Sequence, residues 1–461
     1  MKVLIPPIYE RNLDADDPLS NDLFGRKFFA DNLSRLFQHT DDGLVITINS
    51  RWGDGKTSFI HFWKDRISQK SIFIPIYYDA FRNDFSDDAF LSIATSIQES
   101  LEKKLVNDGF NHKNKKQLES LKKNSKDISK GLLKSSVGYA TRVIASTIIK
   151  DEKILDDIDS FSQKLLSNAL EEDVDNRFDA FQAQKALVED YQNTLKEILK
   201  GDSKEPLKVI FFVDELDRCR PDFAIQVIEK IKHLFSINNV FFVLAINKEQ
   251  LLNTFTSVYG LQGENSEIYL QKFIHLETEL PPMHGLSHES EKDVLSSYIE
   301  SLLSYCEISQ HYGKNNSSFQ AFVDLCSSKM LGMNPRGIER TISLIAIAIG
   351  SNTVDKIPSL IDFIAPMSAL KIAKPKLYAL YQDGKFHDSF EEGISKTYFK
   401  FFKDLFTNDV HETAMNAFEV SKIKNACRIL NVYDFPGPVK RELFIHARGT
   451  EGVIYEHNQE D

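Results

Sequence analysis

The chain has 461 residues, of which 42% are hydrophobic and 27% charged, and its formal net charge is −11. A chain of this length is expected to form about two to four domains. The composition is that of a folded globular protein and excludes a largely disordered one. The acidic balance excludes a surface that is basic all over and coats nucleic acid, but it is compatible with a local basic face.

Cysteine usage and the N-terminal sequence predict a cytoplasmic protein. The four cysteines show no CxxC spacing, so they predict neither a zinc site nor a disulfide framework and fit a reducing compartment. The N-terminus becomes polar too early for a secretory signal. Residues 131–150 are the best candidate for a membrane span, but Lys134 and Arg142 interrupt them. We interpret this segment as a core or interfacial helix and expect no transmembrane segment.

Strand and helix patterns alternate in the first part of the chain. The apolar run at 44–49 predicts a buried strand, a helix begins near Lys56, and a second strand covers 71–79. Residues 101–134 then contain ten lysines and four acidic residues, whereas acidic residues dominate the segment that follows. We interpret most of 101–204 as helices joined by polar linkers.

Strand patterns return later in the chain. Residues 208–213 and 240–246 are apolar throughout and flank a helical segment, and a further strand is expected at 276–280. Strands that are apolar on both faces and alternate with helices predict a parallel sheet covered on both sides. The pattern from 288 to 430 is helical. The predicted fold class is therefore α/β, with a helical insertion and a helical C-terminal region.

The segment NSRWGDGKTS, residues 49–58, joins the first predicted strand to the next helix. A glycine-rich loop at a helix N-terminus directs backbone N–H groups and the positive end of the helix dipole at one point, which suits a phosphate. In such a loop a lysine reaches the outer phosphates and the next hydroxyl binds Mg²⁺. The nucleotide-binding candidates are Arg51, Trp52, Gly53, Asp54, Gly55, Lys56, Thr57 and Ser58.

One position departs from the pattern G-x-x-x-x-G-K-[ST], because Ser50 stands in place of its first glycine. A side chain at the tight start of the loop is expected to weaken phosphate binding slightly.

A second motif, VIFFVDELDR at residues 209–218, ends a predicted strand in two carboxylates. Asp214 is expected to lie beside the Mg²⁺, as the Walker B acid does. Glu215 is the candidate base that orients and deprotonates the attacking water. Arg218 is either the partner of Asp217 in a local ion pair or a group that stabilises developing charge.

Two residues further along the chain are additional candidates with open alternatives. Asn247 follows the strand FFVLAI, where it either senses the γ-phosphate or caps the next helix. Arg336 follows Pro335, which is expected to open a helix. It either contacts the γ-phosphate from a helical lid or is a plain surface arginine.

These motifs resemble, in order, those of the KAP family of P-loop NTPases. The resemblance begins at DLFGRKFFADNLSRLF (22–37) and continues through the W-G-x-G-K core at 52–56 and the looser YYDAFRND. FFVDELDRCRPD, YLQKFIHLETELP and the NPR of 334–336 complete the series. The resemblance covers roughly residues 20–90 and 205–345.

The resemblance implies an additional-strand P-loop fold and an ATPase that binds ATP and Mg²⁺. Related families switch on ATP binding, and bacterial relatives occur in phage-exclusion and antiviral modules. The expected function is therefore an ATP-hydrolysing switch or assembly motor that forms homo-oligomers and acts on protein effectors. Many relatives carry transmembrane helices in the insertion, and the lysine-rich insertion of this chain departs from them.

The expected domains are a split nucleotide-binding core at 1–100 and 205–285, a helical insertion at 101–204, a lid at 286–350 and a C-terminal helical domain at 351–461. The alternative function is a nucleotide-regulated binding module with little turnover. Nucleic-acid contact through 101–134 is a further expectation, although a solvated charged face would give the same pattern.

Overall fold

The computed structural model describes residues 2–11, 17–22, 24–86, 88–107, 112–148, 174–201, 205–234, 237–260, 264–282, 288–310, 317–328, 331–350 and 361–382, with residues 423, 426, 427 and 430. The chain divides into two compact units. One unit is Pro6–Gly285, and the other joins Met1–Ile5 to Leu286–Asp461.

The Pro6–Gly285 unit contains a five-stranded parallel sheet with the strand order β2-β3-β4-β1-β5. Its strands are β1 Leu44–Asn49, β2 Phe73–Asp79, β3 Lys208–Asp214, β4 Val240–Ile246 and β5 Leu276–Glu279. The predicted α/β fold with a parallel sheet flanked by helices is confirmed. Strand β4 lies between β1 and β3, which is the extra strand that the resemblance implies.

Nine described α-helices belong to this unit, together with short 3-10 helices. The α-helices are α1 Lys27–His39, α2 Lys56–Ser68, α3 Ala80–Asn83, α4 Ala89–Asn107, α5 His112–Ile148, α6 Val174–Lys200, α7 Pro221–Leu234, α8 Lys248–Tyr259 and α9 Glu264–Gln271. No helix in the described part of the chain is long and apolar enough to cross a membrane. Helix α5 contains most of the segment 131–150 that we interpret as a core or interfacial helix.

The sheet is buried on both faces because β3 and β4 are apolar at nearly every position, and all of their residues are buried. On one face, Trp63 of α2 is fully buried and meets the ring of Phe212 edge-on at 5.0 Å between centroids. On the other face, Phe211 packs among the helices α4, α7 and α8. Each large apolar side chain buried in this way stabilises the fold by roughly 1.5–3 kcal/mol.

Helices α5 and α6 fall within the segment expected to be an insertion. They pack against each other, and α5 also packs against α4. Leu121 and Leu195 belong to the same hydrophobic cluster as strand β3, so these helices share the core of the Pro6–Gly285 unit. The division of the chain into a split core, an insertion and a lid stays a prediction.

The described secondary structure of the second unit consists of helices. Its helices are α10 His288–Tyr305, α11 Ser317–Ser327, α12 Pro335–Gly350, α13 Ile361–Ala373 and α14 Pro375–Gln382. Pro335 opens α12 as predicted, and Oδ1 of Asn334 accepts a hydrogen bond from the Gly337 N–H at 2.9 Å. Most of the region 383–461, which the predicted C-terminal domain includes, lies outside the described residues.

Candidate functional site

The glycine-rich loop lies between β1 and α2, at the carboxyl edge of the parallel sheet. Gly53 and Gly55 have φ values of 91° and 88°, a region that residues with a side chain rarely adopt. A Cβ atom at Gly55 would also lie 3.2 Å from Nη1 of Arg26. The backbone conformation therefore requires glycine at position 55, and a side chain there would also crowd the Arg26 guanidinium.

The loop does not require a glycine at its first position. Among the described residues other than glycine, only Glu215, Asn239 and Glu307 have positive φ. Ser50 is not one of them, and its backbone N–H donates to the Ile246 carbonyl at 3.2 Å. The serine therefore occupies this position without backbone strain, and the expected weakening of phosphate binding lacks a conformational cause.

Lys56 begins α2 and is 8% exposed. Its ammonium donates to the carbonyl oxygens of Ser50 at 2.6 Å and Arg51 at 3.1 Å, so it lies across the loop. Burial lowers the pKa of Lys56, and the nearby carboxylates of Asp217, Asp214, Asp54 and Glu215 oppose that effect. The cation is thus surrounded by the residues of both motifs.

Asp214 ends β3 and is 1% exposed. Its carboxylate accepts hydrogen bonds from the side chain of Thr57, from the Glu215 N–H at 2.9 Å and from the Tyr77 hydroxyl at 3.2 Å. Burial raises the pKa of Asp214, and these donors together with Lys56 oppose the rise. The two residues expected to hold Mg²⁺, Thr57 and Asp214, are therefore brought together.

The donor set fits Mg²⁺ and not an all-protein metal site. A hydroxyl and a carboxylate are oxygen ligands of the kind that Mg²⁺ prefers, and protein Mg²⁺ sites usually use one or two carboxylates together with phosphates and water. Within the described ranges, no group of three or more His, Cys, Asp or Glu residues could hold a metal ion. The site therefore suits a metal that arrives with a phosphate ligand.

Glu215 follows Asp214 in the left-handed conformation, with φ 59° and ψ 22°. Oε2 of Glu215 is 2.5 Å from Nε of Arg218, three residues further on. The expected alternative of an Asp217–Arg218 ion pair is wrong, because Arg218 pairs with Glu215. The reason is the turn at Glu215, which brings its side chain back over the short helix that follows.

Asp217 has a different partner. Its Oδ2 accepts a hydrogen bond from the indole N–H of Trp52, at the tip of the glycine-rich loop. Trp52 is 44% exposed, so its ring also borders solvent. This bond joins the tip of the loop to the turn after β3.

Arg26 is a site residue that residue-level reasoning did not single out. Its guanidinium is buried and donates from Nη2 to the Asp54 carbonyl at 2.9 Å and from Nε to the Pro281 carbonyl at 3.1 Å. Burial lowers the pKa of Arg26, and Asp22 and Asp54 oppose the shift. Arg26 thus connects the loop to the residues directly after β5. The signal in the sequence was the Gly-Arg pair that opens the family resemblance.

An aromatic stack next to Asp214 was also missed. The Tyr9 and His61 rings are stacked at 3.9 Å, and His61 lies 4.2 Å from the ring of Tyr77. Burial lowers the pKa of His61 to about 4, so its imidazole is neutral near pH 7. The stack fixes the position of Tyr77, whose hydroxyl donates to Asp214.

The remaining candidates lie around the loop or outside this unit. Oδ1 of Asn247 accepts a hydrogen bond from the Gln250 N–H at 3.4 Å. Asn247 therefore caps the helix that follows, which is one of the two alternatives for this residue. Oδ2 of Asp54 accepts from the Arg51 N–H at 3.0 Å, and Ser58 lies in the first turn of α2. Arg336 is exposed in the first turn of α12, in the other compact unit, and its part in a site stays a prediction.

We expect Arg26→Ala to lower the free energy of unfolding by about 3 kcal/mol, because hydrogen bonds from a charged donor each contribute about 1.5–3 kcal/mol. Nucleotide binding should weaken in the same variant. Arg26→Lys should be intermediate, because an ammonium lacks the planar fork that reaches both carbonyls. Chemical denaturation measures the first effect and a fluorescent nucleotide the second. The exposed Arg35→Ala on α1 is the control, and equal stability of Arg26→Ala and Arg35→Ala would contradict the assignment.

Comparison with known proteins agrees with this geometry. A model of the KAP family P-loop domain matches residues 26–349, more than half of the chain. The chain is also similar to the uncharacterized protein MJ0182 of Methanocaldococcus jannaschii, with 30% identity over 174 residues that make up 36% of this chain and 87% of that protein. This match over more than half of the chain shows that the chain belongs to the KAP family of P-loop domains.

Proposed function

We propose that this KAP-family chain is an ATPase that requires Mg²⁺ and acts as a switch or assembly motor. Membership of a P-loop NTPase family supports nucleotide binding. The observation that carries the proposal is the arrangement around Asp214, whose buried carboxylate meets Thr57 and lies in the field of Lys56. A buried acid, a cation and a hydroxyl at the N-terminus of a helix form a site for a phosphate–metal complex.

Each residue has a role that follows from its position. The N–H groups of 53–57 and the ammonium of Lys56 bind and orient the phosphates. Thr57 and Asp214 hold the Mg²⁺, which when bound neutralises charge on the phosphate oxygens. Glu215 accepts a proton from the attacking water.

Arginine and asparagine side chains complete the proposal. Arg218 lies next to Glu215 and stabilises the negative charge that develops on the phosphates. Asn247, at the end of β4, is the proposed sensor of the outermost phosphate, in addition to its contact as a helix cap. Preference for ATP over GTP and a role in antiviral defence rest on the family resemblance, whereas a cytoplasmic location rests on the cysteine usage and the polar N-terminal sequence.

A second candidate function is a nucleotide-regulated binding module with little turnover. The observation that favours it is the ion pair at 2.5 Å between Glu215 and Arg218. A carboxylate engaged by a guanidinium is a weaker base, because the cation favours its ionised form. Hydrolysis by this module would be slow unless a partner separated the pair.

The variant Glu215→Gln separates the two functions. For the ATPase, we expect turnover to fall about 10²–10⁴-fold, the usual contribution of a general base, while ATP binding persists. Phosphate release measures the rate, in the presence of DNA and candidate protein partners. Glu249→Gln, which alters an exposed glutamate in the first turn of α8, is the control. Equal turnover of wild type and Glu215→Gln would contradict the ATPase function and favour the binding module.

Homo-oligomerisation is part of the proposal, with Arg336 supplied to the site of a neighbouring copy. Its exposure and its place in the first turn of α12 are compatible with that role. We expect Arg336→Ala to lower turnover by about 10³-fold or more, as the loss of a charge-stabilising arginine does. Arg340→Ala removes an exposed arginine one turn further along the same helix and should leave the rate unchanged. Turnover and sedimentation that are the same in both variants would refute the role.

A further inference from the structure

Helix α5 presents a row of lysines to solvent. The exposed lysines of this helix between residues 115 and 130, here called the lysine face, are Lys115, Lys116, Lys122, Lys123, Lys126 and Lys130. At 3.6 residues per turn, these six positions fall within an arc of about 120°. The row is about 22 Å long, at 1.5 Å per residue.

The opposite side of the helix accounts for its packing. The buried residues there are Leu118, Leu121, Asn124, Ser125, Ile128 and Ser129. Asn124 donates to Asp190 of α6 at 2.7 Å, and Ser125 accepts from Gln98 of α4 at 2.8 Å. The helix is thus held in place from one side, and its lysines are not needed for that packing.

Most of this charge is unpaired. Lys130 is 3.5 Å from Asp127, but across the described ranges no ion pair forms at Lys115, Lys116, Lys122, Lys123 or Lys126. Glu119 is the acidic residue within the arc. Lysines four residues apart, such as Lys122 and Lys126, repel each other by a few tenths of a kcal/mol. The lysines of this row therefore repel one another, and an anionic partner would relieve that repulsion.

The chemistry of the row selects among anionic partners. Helices that bind membranes insert an apolar side into the lipid, but the apolar side of α5 is buried in the protein core. Single-stranded nucleic acid is usually held by aromatic stacking, and residues 113–130 contain no Phe, Tyr or Trp. A duplex instead carries one phosphate per strand for about every 3.4 Å of its axis, so several phosphates lie within the length of this row.

We propose that the lysine face binds the phosphate backbone of duplex nucleic acid without reading the base sequence. Lysine ammonium groups are point charges that neutralise phosphates and carry no base specificity. The surface is defined by α5 alone, so binding does not depend on nucleotide hydrolysis.

The test measures binding of the full-length chain to fluorescent duplex DNAs of two unrelated sequences, at increasing salt. We expect equal affinity for both sequences. A plot of the logarithm of the binding constant against the logarithm of salt concentration should have a slope of about −5. Each neutralised phosphate contributes roughly −0.9 to that slope. A large preference for one of the two sequences would overturn the proposal.

The decisive variant carries Lys115→Glu, Lys122→Glu and Lys126→Glu, which lie in one line along the row. We expect it to bind duplex DNA at least about tenfold more weakly, with a slope that is smaller by about three. The control carries Lys185→Glu, Lys196→Glu and Lys200→Glu on α6, which make the same change in net charge at exposed positions. The milder triple Lys→Gln variant of the lysine face should be intermediate, and thermal unfolding confirms that each variant is folded.

Three further results would overturn the proposal. They are no duplex binding by wild type at low salt, equal loss of binding in both charge-reversal variants, and binding to phosphatidylserine vesicles without binding to duplex DNA. A Lys56→Met variant that keeps duplex binding while losing nucleotide binding separates this surface from the phosphate loop.

Discussion

The buried carboxylate of Asp214 is the group on which the proposed site depends. It receives hydrogen bonds from Thr57 at the start of α2, from the Glu215 N–H beyond β3 and from Tyr77 on β2. Strands β1 and β3 are not neighbours, because β4 lies between them. Helix α2, which follows β1, therefore contacts the end of β3 across strand β4.

The site is electrostatically unfavourable by itself. Burial raises the pKa of Asp214 and lowers those of Lys56 and Arg26, so each charged form is disfavoured by its surroundings. Opposite charges and backbone dipoles offset part of this effect, but a buried ion pair is rarely a source of stability. Buried charged groups with shifted pKa values that converge in this way are typical of functional sites. We infer that ligand binding explains why Lys56 and Asp214 converge.

The sequence predicted the sheet and the phosphate loop because their signals are local. A run such as VIFFV is buried wherever its sheet forms, and the glycines at 53 and 55 are needed for the loop itself. The contacts of Arg26 were not predictable, because its partners Asp54 and Pro281 meet only after the strand order is known. The ion pair of Arg218 with Glu215 was not predicted, because it depends on the left-handed turn at Glu215.

The lysine-rich segment likewise shows the difference between a signal that is local in the sequence and one that depends on the folded structure. The sequence showed an excess of lysine, but the exposed row appears only when the buried side of α5 is known. A charged stretch and a one-sided charged face have the same composition. They differ in which positions the neighbouring helices cover.

The most direct test of the site is the effect of Mg²⁺ on the affinity for a fluorescent ATP analogue in wild type, Asp214→Asn and Lys56→Met. Lys56→Met should bind about 10–100-fold more weakly with or without the metal, since a charged hydrogen bond contributes about 1.5–3 kcal/mol. Asp214→Asn should keep the metal-independent affinity and lose the increase that Mg²⁺ gives wild type. If Mg²⁺ tightened binding to Asp214→Asn as much as to wild type, the loop and the acidic motif would not share one metal–nucleotide complex.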